Sequence, residues 1–171
     1  GQRQLLIPDP LLKSVQRKIL QNVLSGLSLS AMASAYRKGR GIREHAQPHC
    51  GQRQVLRLDI RNFYDSITFA QVYAAFPATL FPPPVRKLLA ELCCCRDRLP
   101  QGAPTSPALS NRVLLSFDRR MAGWCRKRGI AYNRYCDDMT FAGDFRPGAG
   151  RAVAGRILRE YGFALHEGKT L

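Results

Sequence analysis

Ala131-Tyr132-Asn133-Arg134-Tyr135-Cys136-Asp137-Asp138-Met139-Thr140-Phe141 is the segment around which this chain is organised. Two adjacent carboxylates sit between short runs rich in aromatic and other strand-forming residues, which predicts a β-hairpin with Asp137-Asp138 at its turn. Two bare acids side by side repel each other, and each prefers a bound cation or a proton. A pair of divalent metals supplies that charge in two-metal phosphoryl-transfer sites. Asp is common in turns for local reasons, so the pair alone does not settle its own purpose.

Upstream, Val55-Leu56-Arg57-Leu58-Asp59-Ile60 alternates as a strand, with Leu56, Leu58 and Ile60 on one face and Val55, Arg57 and Asp59 on the other. An acid near the end of such a strand is well placed to meet a neighbouring hairpin. Phe63, Tyr64 and Ile67 continue the apolar pattern, and Thr68 is positioned to cap a short helix. Pro82-Pro83-Pro84 ends that element and opens a helix through Val85, Leu88, Leu89 and Leu92. Leu99 to Pro107 reads as a rigid turn leading into one long helix with Leu109, Val113, Phe117, Met121 and Trp124 as its buried stripe, stopped by Gly129.

Nearer the start, Leu5-Leu6-Ile7 reads as the tail of a strand. Asp9-Pro10 then supplies an N-cap and a first-turn proline for a helix with Leu12, Val15, Ile19, Val23 and Leu27 at helical spacing. After the hairpin, Val153, Ile157 and Tyr161 mark another helix, and Phe163-Ala164-Leu165 a last short strand. Asp65, Asp97, Asp118 and Asp144 read as surface or capping acids, and Trp124 and Cys93 to Cys95 as core.

The 171 residues, 45% hydrophobic, suffice for a core and are expected to form one domain. Lys and Arg number 27 against 12 Asp and Glu, a net charge of +15, and the basic residues are spread along the chain. A polyanion, nucleic acid first, is the partner such a balance implies. Tyr36 to Arg43 carries four basic side chains and two glycines, which suits either a phosphate-wrapping loop or a solvated connection. No apolar run approaches the roughly 18–20 residues of a membrane span. The six cysteines, three of them consecutive, fit neither a disulfide framework nor zinc spacing, and point to a reducing compartment such as the cytoplasm.

Taken together, the segments resemble a bacterial reverse transcriptase of the retron type. Leu58-Asp59-Ile60-Arg61-Asn62-Phe63-Tyr64-Asp65-Ser66-Ile67 is similar to the family's first palm motif, and Leu99 to Asn111, containing Gln101-Gly102, to its template- and nucleotide-positioning motif. Tyr135-Cys136-Asp137-Asp138 resembles the metal-binding motif, and Gly162 to Thr170 the fourth palm motif. His45-Ala46-Gln47-Pro48-His49 resembles a retron element that usually begins with Asn. The ordered set covers nearly the whole chain.

The resemblance implies an α+β polymerase palm: a small antiparallel sheet with helices packed on one face, plus partial fingers. It places the fingers portion at about 1–54 and the palm at about 55–171, with the thumb that follows in the family absent from this chain. It implies RNA-directed DNA synthesis, adding dNTPs to a primer 3′-hydroxyl. Asp59, Asp137 and Asp138 would hold two Mg²⁺ ions, with Mn²⁺ as a substitute, and the Ile60 carbonyl would assist. Gln101 and Gly102 would line the nucleotide pocket, Tyr64 would lie beneath the incoming sugar, and Arg3 and Lys169 would meet the triphosphate and pyrophosphate. The partners implied are an RNA template, a DNA or RNA primer and a cognate structured non-coding RNA, with no membrane. Two other readings stay open: a palm relic that binds nucleic acid without turnover, and an RNA-templated RNA polymerase. Intact acids weigh against the first, and the retron-like second motif and bulky Tyr64 against the second.

Overall fold

The computed structural model describes residues 5–37 and 39–168. In chain order the elements are α1 (Pro10–Asn22), α2 (Ile42–Ala46), β1 (Gln54–Asp59), α3 (Phe63–Ser66), α4 (Phe69–Ala75), α5 (Pro83–Cys93), α6 (Ser106–Val113), α7 (Leu115–Arg126), β2 (Ala131–Tyr135), β3 (Asp138–Gly143) and α8 (Pro147–Glu160). Short 3₁₀ turns occupy Leu24–Gly26 and Gln47–His49. The α+β class read from the sequence holds. The chain divides into two compact units, Gly1–Leu29 with Tyr64–Val113, and Ser30–Phe63 with Leu114–Leu171.

In the second unit, β1, β3 and β2 form an antiparallel sheet in that order, with β3 central. The register pairs Leu56 with Phe141 and Leu58 with Met139 on one side, and Tyr132 with Phe141 and Arg134 with Met139 on the other. These six therefore share a face, because side chains alternate along a strand. All six are buried, and α7 and α8 pack there, on β2 and β1 respectively. A Cβ on Gly150 of α8 would lie 3.1 Å from Leu56 Cδ2 and 3.0 Å from the Phe145 ring, so close packing of helix on sheet depends on that glycine. The opposite face carries Arg57, Asp59, Asn133, Tyr135, Asp138 and Thr140. There α2 and the 3₁₀ turn after it touch the far end of the hairpin.

Each outer strand is met by further backbone at one point, which shortens the edge it offers to unwanted strand pairing. Beside β2, Arg134 N–H donates to Met32 O and Ser34 N–H to Arg134 O, each at 2.8 Å. Beside β1, His166 N–H donates to Asp59 O and Arg61 N–H to Ala164 O, again at 2.8 Å.

In the first unit, α5 packs on α1 and α4, and α4 also packs on α6. Val72, Phe76, Leu89, Cys93, Leu99 and Leu109 form its core. Asp9 caps α1 as read, its Oδ1 accepting from Leu11 and Leu12 N–H at 3.0 and 3.1 Å. Thr68 caps α4 as read, and Gln71 answers it from the third helical position.

Several expectations fail for physical reasons. The helix expected to run unbroken from the Pro107 turn to Gly129 is two helices, α6 and α7, separated at Leu114. Trp124 is half-buried rather than core, and of Cys93 to Cys95 only Cys93 is buried. Leu5 to Pro8 forms no strand; Leu6 makes one backbone bond, to Gln101 O at 2.9 Å, and Leu5 and Ile7 are exposed. Phe163 to Leu165 makes only an isolated bridge, Leu165 to Ile60. α1 stops at Asn22, so Val23 and Leu27 fall beyond it, and Gln16 is buried with Ile19 because its amide donates to Leu92 O at 2.8 Å. Asp118 is no surface acid: it is fully buried.

Candidate active site

The acids of β1 and of the hairpin meet in the second unit. Antiparallel register sets Asp59 directly opposite Asp138. One residue on, Ile60 N–H donates to Asp137 O at 3.1 Å, which holds the turn against the end of β1. The turn differs in detail from its sequence reading. Tyr135 pairs with Asp138, so the two loop residues are Cys136 and Asp137, and Asp138 is the first residue of β3. Asp59 is buried, while Asp137 and Asp138 are half-buried.

The electrostatics follow from this crowding. Burial pushes the Asp137 carboxyl above the usual carboxylate range, and the charges of Asp59 and Asp138 add to the rise. Arg57, diagonal to Asp138 on the same face, answers part of the charge: its Nη2 lies 2.6 Å from Asp138 Oδ2 and its Nε 3.2 Å from Oδ1. Hydrogen bonding to Asp138 in turn holds the Arg57 guanidinium above its ordinary value. Alternation had placed Arg57 on the face of Asp59, so this pairing was open to sequence reasoning and was missed.

Among the described residues, no group of three His, Cys, Asp or Glu side chains converges into a ready-made metal cage. The donor chemistry nonetheless fits a hard divalent cation: three carboxylates gathered at one end of a sheet, one with raised proton affinity, one already drawing a cationic side chain. Asp59, Asp137 and Asp138 are the residues that could hold it.

Further along the same face, His45 and His49 lie against the hairpin. His49 Nε2 is 2.7 Å from Asn133 Oδ1, Asn133 Nδ2 donates to His45 O at 2.7 Å, and His45 Nε2 is 3.3 Å from Thr140 Oγ1. The His45 ring also meets Tyr135 edge-on. Burial, and then the neighbouring His49, lower the His45 pKa. The His45 to His49 motif is thus an anchor for the strands that carry the acids.

Tyr64, Gln101 and Gly102 belong to the first unit. Tyr64 is half-buried in α3. Gln101 presents its carbonyl to Leu6, and Gly102 has φ 121°, with Leu6 O 3.1 Å from where a Cβ would sit. Only glycine suits that position. Arg3 and Lys169 lie outside the described residues.

Known proteins resemble this chain along its length. The whole chain, residues 1–171, matches the family "Reverse transcriptase (RNA-dependent DNA polymerase)". It is 40% identical to the retron Mx65 reverse transcriptase of Myxococcus xanthus, over 99% of this chain and 44% of that protein. It is 34% identical to the retron Ec86 reverse transcriptase of Escherichia coli, over 82% of this chain and 44% of that protein. The chain therefore spans less than half the length of these relatives. A structure of telomerase from Candida albicans, in complex with a fragment of telomeric RNA, shares the fold with a TM-score of 0.58 at 11% identity, over 94% of this chain and 34% of that one. With its motifs in order, its acids meeting at one end of the sheet and its full length matched, the chain belongs to the reverse transcriptase family, in its retron type.

Proposed function

We propose that this chain carries the nucleotidyl-transfer centre of an RNA-directed DNA polymerase, which adds dNTPs to a primer 3′-hydroxyl on an RNA template. The observation that carries the reading is the register that sets Asp59 opposite Asp138, with Asp137 tied to Ile60 beside them. Asp59, Asp137 and Asp138 would hold two Mg²⁺ ions, with Mn²⁺ as a substitute. Bound there, the ions supply positive charge for the attacking 3′-oxygen and for the triphosphate. The protein's own part is to hold two acids on paired strands and one in the hairpin turn, so that little reorganisation would be needed to accept the cations. Arg57, paired with Asp138, would compete with a cation for that carboxylate. Tyr64, Gln101 and Gly102 would contact the nucleotide, with the Tyr64 ring excluding a 2′-hydroxyl; Arg3 and Lys169 would meet the phosphates. Residues of about 1–54 would then serve as fingers and about 55–171 as palm. A cognate structured RNA is the template this reading favours, since the relatives are named as retron enzymes.

The test is primer extension on an RNA template with Mg²⁺ and dNTPs, using a full-length protein that carries this chain. Asp59→Asn and Asp137→Asn should each lower extension by about 10²–10⁴-fold while circular dichroism stays unchanged. Activity unchanged in a folded variant would sink the assignment of the acids.

A further inference from the structure

The turn that carries Asp137 is under backbone strain. Cys136 has φ 59°, a left-handed conformation that a β-carbon disfavours. Such a residue persists where its surroundings over-determine it. Three contacts do so here: Arg134 Nη1 donates to Cys136 O at 2.6 Å, Ile60 N–H donates to Asp137 O at 3.1 Å, and the Tyr36 hydroxyl reaches Cys136 Sγ at 3.4 Å.

The first of these has an unusual origin. Arg134 is fully buried, on the sheet face that packs against α7. Asp118 of α7, also fully buried, accepts from Arg134 Nε at 3.0 Å and from Nη2 at 2.8 Å. The Tyr132 hydroxyl donates to the same carboxylate at 2.8 Å. Burial is the largest single influence on the Arg134 pKa and lowers it, but the charge and hydrogen bonding of Asp118, with Tyr132 and Cys136, together raise it, and the guanidinium stays charged. With Nε and Nη2 taken by Asp118, the remaining arm of a rigid planar fork points at the turn. A buried ion pair is a weak way to stabilise a fold, since apolar residues filling the same space commonly serve as well or better. Its distinctive product here is the fixed position of one carbonyl.

We infer that Asp118 and Arg134 are positioning residues: the pair, seated in the core, clamps the Cys136 carbonyl and so sets where Asp137 stands among the acids. The inference rests on the proposed role of those acids. It makes the strained turn and the buried charges two halves of one device.

The test uses a full-length protein carrying this chain, with Asp118→Leu, Arg134→Met and Tyr132→Phe combined so that no buried charge or hydroxyl is stranded. Two readouts are taken: hydrogen exchange of the 133–141 segment by mass spectrometry, and steady-state dNTP incorporation. The triple variant should remain folded and bind an RNA–DNA hybrid as the parent does. Its hairpin should exchange about 10-fold faster, and kcat should fall roughly 10–100-fold with KM for dNTP unchanged. Adding Cys136→Gly, which accepts a positive φ without cost, should return both exchange and kcat towards the parent values. A merely structural pair would not be rescued by a glycine in a turn. Should the triple variant fail to fold, Arg134→Lys carries the same test, since an ammonium facing Asp118 cannot also fork to the turn.

Unchanged exchange and kcat in a folded variant, or a Cys136→Gly variant that rescues neither, would overturn the inference. If the parent makes no DNA yet the hairpin loosens and recovers as described, the polymerase reading fails and the positioning role stands.

Discussion

At the scale of single residues, environment divides side chains of one type into different chemical classes, and the six cysteines make this measurable. Burial pushes the Cys93 thiol up to about 11, and burial pushes Cys94 and Cys125 up to about 12. For Cys94 the neighbouring Cys93, Asp97 and Cys95 add to the effect. The thiolate is the reactive form, so at pH 8 these three hold roughly a thousandth or less of it. Cys50 and Cys95 are exposed, and Cys136 is buried in the hairpin turn. Iodoacetamide at pH 8 should therefore modify Cys50 and Cys95 rapidly and the other four only in denaturant, as read by peptide mass spectrometry. Cys93 labelling as fast as Cys95 would contradict the packing of α5. The sign of the linked pH effect is also set. A thiol whose folded value lies above its unfolded value of about 8.5 keeps its stabilising contribution below that pH and loses it as pH rises towards the folded value. Thermal stability should accordingly decline on the alkaline side, between about pH 8.5 and the folded values of about 11 to 12.

At the scale of elements, caps give the sharpest prediction. Thr68 Oγ1 accepts from Gln71 N–H at 3.3 Å, and Gln71 Oε1 accepts from Thr68 N–H at 2.8 Å. Thr68→Ala should cost about 1 kcal/mol, seen as a lower urea midpoint, with Thr68→Ser close to the parent. The exposed Thr79→Ala should stay within about 0.5 kcal/mol and serves as the control. Such caps were legible in the sequence because they are local: Asp9-Pro10 and Thr68 act on amides two or three residues away. β1 and the hairpin were legible because alternation and a short polar turn specify them without reference to anything distant. The break at Leu114 was not. Leu109, Val113, Phe117 and Met121 keep helical spacing straight through it, so periodicity carries no trace of the interruption. Nor could Asp118 be read correctly, because a carboxylate on a helix looks solvated until the guanidinium that buries it, sixteen residues on in β2, is known. Motif order singled out the three aspartates. That Asp59 stands opposite Asp138 needed the register, which pairs residues 79 apart in sequence.

At the scale of the whole molecule, charge decides behaviour that no single contact carries. Lys and Arg exceed Asp and Glu by 15, and the surplus includes exposed side chains in both units, such as Arg17 and Lys18 in the first and Arg40, Arg43 and Arg61 in the second. Little of it is cancelled locally. Arg53–Asp144, Lys87–Glu91 and Arg120–Glu160 are exposed pairs, each of small worth in water, and many other cations have solvent around them. A polyanion therefore gains chiefly by releasing its condensed counterions, at about 0.7–0.9 in the slope of log K against log salt for each phosphate neutralised. The 171-residue chain should bind an RNA–DNA hybrid with little regard to sequence, and a footprint of about six phosphates would give a slope near −5. Fluorescence anisotropy between 50 and 200 mM salt measures it. Asp59→Asn should leave the slope unchanged, because the acids neutralise no phosphate, even though the same variant should lower extension. A slope near zero, or strong preference for one sequence at high salt, would mean that base or shape contacts rather than this charge hold the duplex.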